Sequence, residues 1–195
     1  MAMAVEGPLE TVARWIEEAR QRGMAEPEAM ALATATREGF PSVRIVLCRG
    51  IDFQGIRFFT NYESRKGREL DANPPAAATF FWPVIDRQVR VEGVAERLPA
   101  AASDAYFDHR PRGHQISAWA SAQSRPLDSI ESLRKRAREL AVEHEGRAVP
   151  RPPYWGGYLL RPSAIELWTR GADRLHERLL YTRNGESWAS VRLAP

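Results

Sequence analysis

The chain has 195 residues, 44% hydrophobic and 27% charged, a length and balance that fit one domain with a sizeable core. Its formal net charge is +3, and because Lys occurs only at 66 and 135, nearly all of the positive charge is arginine, the side chain that holds phosphate or carboxylate in a bidentate fork. Cys48 is the only cysteine and the four histidines lack zinc spacing, which excludes an intrachain disulfide and leaves no expected metal site.

In chain order, residues 8–22 place Leu9, Val12, Ile16 and Ala19 at helical spacing, with Pro8 suited to a first turn and Gly23 to a stop. Residues 31–36 and 42–48 read as strands around the turn-like EGFP at 38–41, and a strand over 56–61 follows the turn DFQG. Segments 76–82 and 87–98 continue the series, with Gly93 a candidate bulge. A helix is expected over 99–109, stopped at Arg110-Pro111. Another is expected over 128–144, opened by Asp128 and Glu131 and striped by Ile130, Leu133, Ala137 and Leu140. After the rigid PRPPYW at 150–155, strands resume at GYLLRP, AIELW and RLHERLLYT, and Asn184-Gly185 turns a terminal hairpin over about 174–193. Many short strands with few helices predict a mainly β fold: one domain over residues 1–195, an antiparallel barrel closed on itself with flanking helices, and a ligand site at the rim or a subunit interface.

Four polar groups interrupt this pattern. In NYESRKGREL (61–70), Ser64, Arg65 and Lys66 follow a strand and open a helical turn, which reads as a phosphate cradle or as a solvated helix end. In SVRIVLCR (42–49), Arg44 shares a strand face with Val46 and Cys48, opposite Val43, Ile45, Leu47 and Arg49. A cation there either reaches water at a barrel end or faces an anion. In AYFDHRPRGH (105–114), Tyr106 and Arg110 share a helical face, with Arg112 and His114 beyond the proline. The group reads as a phosphate grip or as a tyrosine lying on an arginine stem. Finally, Arg174, His176 and Arg178 occupy alternate positions; in a strand they share a face, so water or an anionic ligand must oppose them.

Together RIVLCR (44–49), FTNYESRK (59–66), RQV (87–89), YFDHRPRGHQISAWASAQS (106–124), YWGGY (154–158), WTRGADRLHERLLY (168–181) and the terminal RLAP resemble the pyridoxine/pyridoxamine 5′-phosphate oxidase family, in order and from about Pro8 to Pro195. The resemblance implies an FMN-binding split β-barrel and a homodimer with two FMN sites at its interface. It puts FMN against Arg44, Ile45, Val46, Leu47, Cys48 and Arg49, and against Phe59 and Thr60. Arg65 and Lys66 would hold the FMN phosphate, and Gln88, Gln123, Ser124, Trp168 and Arg178 would complete the site. Arg49, Tyr106, Arg110 and His114 would hold the substrate phosphate. Arg174, Leu175 and His176 would cover the pyridine ring, with Arg174 and His176 as the catalytic pair.

The implied reaction is oxidation of pyridoxamine or pyridoxine 5′-phosphate to pyridoxal 5′-phosphate by O2, with release of H2O2. Three features depart from the family pattern: Arg49 replaces a lysine, His114 replaces a small hydroxyl residue, and the chain starts only a few residues before its first helix, where family members carry a longer arm. Two alternatives use the same residues: a flavin oxidase of a dihydrophenazine carboxylic acid, as in phenazine biosynthesis, and a flavin- or pyridoxal-phosphate-binding protein without turnover. No polybasic arm suggests nucleic acid, and no signal peptide or long apolar run suggests a membrane, so a cytoplasmic protein is expected.

Overall fold

In the computed structural model, which describes residues 7–195, the first helix α1 (Pro8–Gln21) begins on its proline and turns Leu9, Val12, Trp15, Ile16 and Ala19 inward. Gly23 follows it with φ +86°, a conformation that favours glycine. The chain then runs through β1 (Ala29–Ala35), β2 (Pro41–Leu47), β3 (Gly50–Asp52), β4 (Gly55–Asn61), α2 (Arg65–Ala72), β5 (Pro75–Trp82) and β6 (Arg87–Arg97). Three helices follow: α3 (Ala100–Asp108), α4 (Arg112–Ala120) and α5 (Ile130–Glu143). Then come β7 (Trp155–Thr169), β8 (Glu177–Asn184) and β9 (Ser187–Arg192).

The nine strands make one antiparallel sheet in the order β2-β1-β5-β6-β7-β4-β3, with β8 added on β7 and β9 on β8. The division of the sheet comes from β7. One of its edges pairs with β6 from Tyr158 to Thr169; on the other, Trp155–Leu160 pair with β4 and Ala164–Thr169 pair with β8. Pro162 and Ser163 sit at the change of partner, and the β6 register shifts there between Glu92 and Gly93, the bulge expected from the sequence. Gly93 is needed at that point, because a Cβ would lie 2.1 Å from the Arg161 carbonyl oxygen. The fold is therefore mainly β with flanking helices, a split barrel. It is not closed by hydrogen bonds, since β2 and β3 end the ladder among the described residues.

Three elements differ from the sequence reading. The segments GYLLRP and AIELW are one 15-residue strand. Helix α4 was not expected, because Pro111 reads as a stop yet serves as the N-cap of a new helix. The strand expected from residue 174 begins at Glu177, after a 3-10 turn over Ala172–Arg174.

The main core gathers Met30, Leu32, Phe58, Phe80, Trp82, Val89, Val91, Tyr158, Leu160 and Ile165 beneath α1. Full burial of each such side chain stabilises by roughly 1.5–3 kcal/mol. Trp82 also donates its indole N–H to the Pro27 carbonyl at 2.7 Å, so its one polar atom is satisfied. A second, smaller core of Phe107, Ile116, Leu140, Val149 and Trp155 holds α3, α4 and α5 against the start of β7.

Candidate active site

Between these two cores lies a cleft of about 570 Å³. The end of β2 contributes Ile45, Val46 and Leu47, and Arg49 follows it; β4 contributes Phe59 and Thr60; α2 contributes Lys66. The α3–α4 corner adds Tyr106, His109, Arg110, Pro111 and His114, and Gln123 and Trp155 complete the wall. Three cations line it and no carboxylate does.

Lys66 is only 8% exposed. Its ammonium donates to the Thr60 hydroxyl at 3.1 Å and to Gln123 Oε1 at 3.4 Å, with Ser64 Oγ at 3.5 Å, and all of these are neutral acceptors. Burial, helped by the nearby charge of Arg44, pushes its pKa down to about 8. Ser64 is itself fully buried and caps α2 by accepting from the Gly67 N–H at 3.2 Å. The helix start is thus built to hold the ammonium in place, while the charge lacks a counterion.

Arg110 shows the same imbalance. Its guanidinium lies over Trp155 at 4.4 Å and Phe107 at 5.5 Å, and its buried Nη1 has no hydrogen-bond partner. Burial and the neighbouring Arg49 both press its pKa down, against the pull of Tyr106. Tyr106 stacks on Phe59 with centroids 3.7 Å apart, and Phe59 stacks on Trp155 at 5.7 Å, forming a flat aromatic wall. An orphaned guanidinium donor beside a stack of rings suits a planar, anionic aromatic ligand.

Other expected site residues lie elsewhere. Arg44 does not line the cleft: it donates to the Leu32 carbonyl at 3.2 Å and to Thr34 at 2.6 Å, and pairs with Glu69 at 3.3 Å. Arg65 pairs with the other oxygen of Glu69 at 2.8 Å. Glu69, 6% exposed, also accepts from Ser42 at 2.6 Å and from Thr34. Burial alone raises a carboxyl pKa, but the hydrogen bonds from Ser42, Thr34, Arg65 and Arg44 outweigh it and hold Glu69 at about 2. Cys48 is a core residue, 4% exposed, whose thiol is pushed up to about 11 by burial. Ser124, beside Gln123, is exposed with φ +69°.

The remaining residues form a second group. Gln88, Trp168 and Arg178 are cross-strand neighbours in one row over β6, β7 and β8. His176 lies against Trp168 with ring centroids 4.7 Å apart, and Arg174 and Leu175 precede it in exposed loop positions. The alternating strand face expected for Arg174, His176 and Arg178 does not form, because Arg174 sits in the 3-10 turn with φ +65°. What opposes Arg178 is the buried Glu166 of the neighbouring strand, at 2.7 and 3.1 Å, so no ligand is needed to balance that charge. None of this second group lines the cleft.

Sequence reasoning missed His109, Pro111 and Trp155 as lining residues, although all three lie in or beside the quoted motifs, and it missed Glu69 entirely. The available signal for Glu69 was its i, i+4 spacing from Arg65. Among the described residues there is no cluster of three metal-ligating side chains, and no helix is long and apolar enough to cross a membrane.

The chain is similar to known proteins along nearly all of its length. The pyridoxamine 5′-phosphate oxidase family model matches residues 16–143, and a pyridoxine 5′-phosphate oxidase C-terminal dimerisation region matches residues 155–195. A pyridoxine/pyridoxamine 5′-phosphate oxidase of Rubrobacter xylanophilus is 54% identical over 188 residues, 96% of this chain and 87% of the relative. That of Bordetella pertussis is 49% identical over 195 residues, 98% and 91% of the two chains. Among solved structures, PhzG of Burkholderia lata in complex with tetrahydrophenazine-1-carboxylic acid superposes with a TM-score of 0.91 at 38% identity, covering 96% and 92% of the two chains. With family models spanning most of its length and relatives of about half identity along nearly all of it, the chain belongs to the pyridoxamine 5′-phosphate oxidase family and is an oxidoreductase of that type.

Proposed function

We propose that the cleft binds FMN and that the enzyme oxidises pyridoxamine or pyridoxine 5′-phosphate to pyridoxal 5′-phosphate, with O2 as acceptor and H2O2 as product. The observation that carries this reading is a cleft with three cations, an orphaned guanidinium donor and an aromatic wall, but no carboxylate. Two phosphorylated aromatic ligands would supply the missing negative charge. The residues fit the cofactor: Lys66, Thr60 and Gln123 offer a buried ammonium with flanking polar groups for its phosphate, and Ile45, Val46 and Leu47 offer backbone and apolar surface beside it. Bound there, FMN would supply a two-electron acceptor that O2 regenerates.

The chain's own residues bind and orient. Arg110, Arg49, His114 and Tyr106 all line the cleft and would grip the substrate phosphate, fixing the position of the carbon to be oxidised. The alcohol then yields the aldehyde directly by losing two electrons and two protons. The amine yields an imine that water hydrolyses, releasing ammonia. The second group, Gln88, Trp168, Arg174, Leu175, His176 and Arg178, lies largely within the matched dimerisation region. We take it to complete the site in a homodimer, each copy adding its group to the cleft of the other.

A phenazine-type reading is favoured by the likeness to PhzG. Its ligand class carries a carboxylate and no phosphate, whereas Arg49 and Arg110 together suit a dianion. Arg110→Ala tests the difference. Comparing pyridoxamine 5′-phosphate with unphosphorylated pyridoxamine, the substitution should cut kcat/KM for the phosphorylated substrate by roughly 10²-fold, as expected for losing a buried charged contact. The weak turnover of the unphosphorylated amine should be nearly unchanged. Equal loss on both would remove Arg110 from the phosphate subsite.

A further inference from the structure

The loop between β7 and β8 is built around one hydrogen bond. The backbone N–H of Gly171 donates to Nδ1 of His176 at 3.2 Å. Only glycine permits that approach: a Cβ on residue 171 would lie 1.8 Å from the Leu175 carbonyl oxygen. The chain returns to His176 through two successive left-handed residues, Asp173 (φ +52°) and Arg174 (φ +65°), neither of them glycine. Left-handed backbone at residues with a Cβ is strained, so the surrounding contacts must hold it in place. The turn is closed by Leu175 N–H to the Ala172 carbonyl at 2.8 Å and His176 N–H to the Arg174 carbonyl at 2.9 Å. Its base is pinned by Arg170, which donates its N–H to the Asp86 carbonyl at 3.0 Å and pairs with the Asp86 carboxylate at 2.7 Å. Trp168 lies against the imidazole from the side.

A backbone N–H can only donate, so Nδ1 must offer its lone pair. In a neutral imidazole the proton then resides on Nε2. A proton arriving at Nδ1 would set one N–H against another. We propose that Gly171 and the left-handed Asp173–Arg174 turn lock His176 as its Nε2–H tautomer, so that the ring gives the substrate a hydrogen-bond donor and does not serve as its base. Gly171 and Asp173 are positioning residues, acting through His176. The role toward substrate rests on the oxidase reading; the tautomer does not.

The test is the long-range ¹⁵N–¹H spectrum of the full-length, ¹⁵N-histidine-labelled protein above about pH 8, where an ordinary imidazole is neutral. The His176 ring is assigned by the signal lost in His176→Gln. An unprotonated Nδ1 with a protonated Nε2 is expected; a protonated Nδ1 overturns the proposal. Gly171→Ala should let the two tautomers mix and lower kcat by about tenfold with FMN still bound, and an unchanged tautomer there would remove Gly171 from the role. His176→Gln places an amide donor near the Nε2 position and should keep turnover within about tenfold. His176→Asn keeps only the inner acceptor and should lose about 10²-fold. Equal losses in both variants, in the 10²–10⁴ range of a missing general base, would overturn the donor role. If the wild-type protein turns over no B6 phosphate, the oxidase reading fails while the spectrum still decides the tautomer.

Discussion

Lys66→Met should weaken FMN binding by roughly 10²–10³-fold, the effect of deleting one partner of a buried, hydrogen-bonded charge pair, and at the same time should stabilise the apoprotein. The two signs share one cause. Lys66 is 8% exposed and bonded only to neutral acceptors, so without an anion its charge is a burden on the fold. Its pKa of about 8 against an ordinary 10.5 corresponds to a cost on the order of 3 kcal/mol for the charged form. Between those values the unfolded chain binds more protons than the folded one. Stability of the apoprotein therefore rises with pH from about 8 to about 10.5, and the cost is fully present below about 8. Methionine removes the charge, and with it both the penalty at neutral pH and the gain at high pH. Flavin fluorescence titration and denaturant unfolding of the apoprotein read the two effects separately. Unchanged FMN affinity would mean that Lys66 does not hold the cofactor phosphate.

Glu69→Ala should lower the stability of the apoprotein by roughly 3–5 kcal/mol, the cost of breaking a buried ion pair from one side. Glu69 joins α2 to β1 and β2: it takes hydrogen bonds from Thr34 and Ser42 and pairs with both Arg44 and Arg65. Alanine leaves Arg44, half-buried on β2, without its counterion. The acid behaviour follows from the same group. Its carboxyl is held at about 2 against an ordinary 4.5, so its contribution is complete above about 4.5 and is lost as pH falls through about 2. The variant should show a shallower loss of stability on acidification, and Glu69→Gln should fall between variant and wild type. Denaturant unfolding at neutral and acid pH measures both. A Glu69→Ala change below about 1 kcal/mol, the size of an exposed pair, would contradict the network.

Where a structural signal was local, the sequence carried it. Pro8 and the apolar stripe announced α1, Asn184-Gly185 announced the last hairpin, and Gly93 marked the bulge. Helix α4 was hidden because a proline both stops helices and starts them, and Pro111 does the second here. The continuity of β7 was hidden because Pro162 normally breaks a strand, and only the bulge beside it makes it tolerable.

The same distinction runs through the site. Lys66 and the Tyr106–Arg110 pair were legible as short motifs. Glu69 was not, because its partners Thr34 and Ser42 come from strands 35 and 27 residues away. The C-terminal cations were misread as one strand face because left-handed backbone at Asp173 and Arg174 cannot be inferred from residue types that rarely adopt it. The partner of Arg178, Glu166, lies on the preceding strand, 12 residues away.

The most direct test is aerobic turnover of the FMN-loaded protein with pyridoxamine 5′-phosphate, following pyridoxal 5′-phosphate and H2O2 together. The expected result is one H2O2 for each pyridoxal 5′-phosphate, with unphosphorylated pyridoxamine a far poorer substrate. A protein that holds FMN yet yields neither product, while oxidising tetrahydrophenazine-1-carboxylic acid, would contradict the assignment of the cleft to a phosphorylated B6 vitamer.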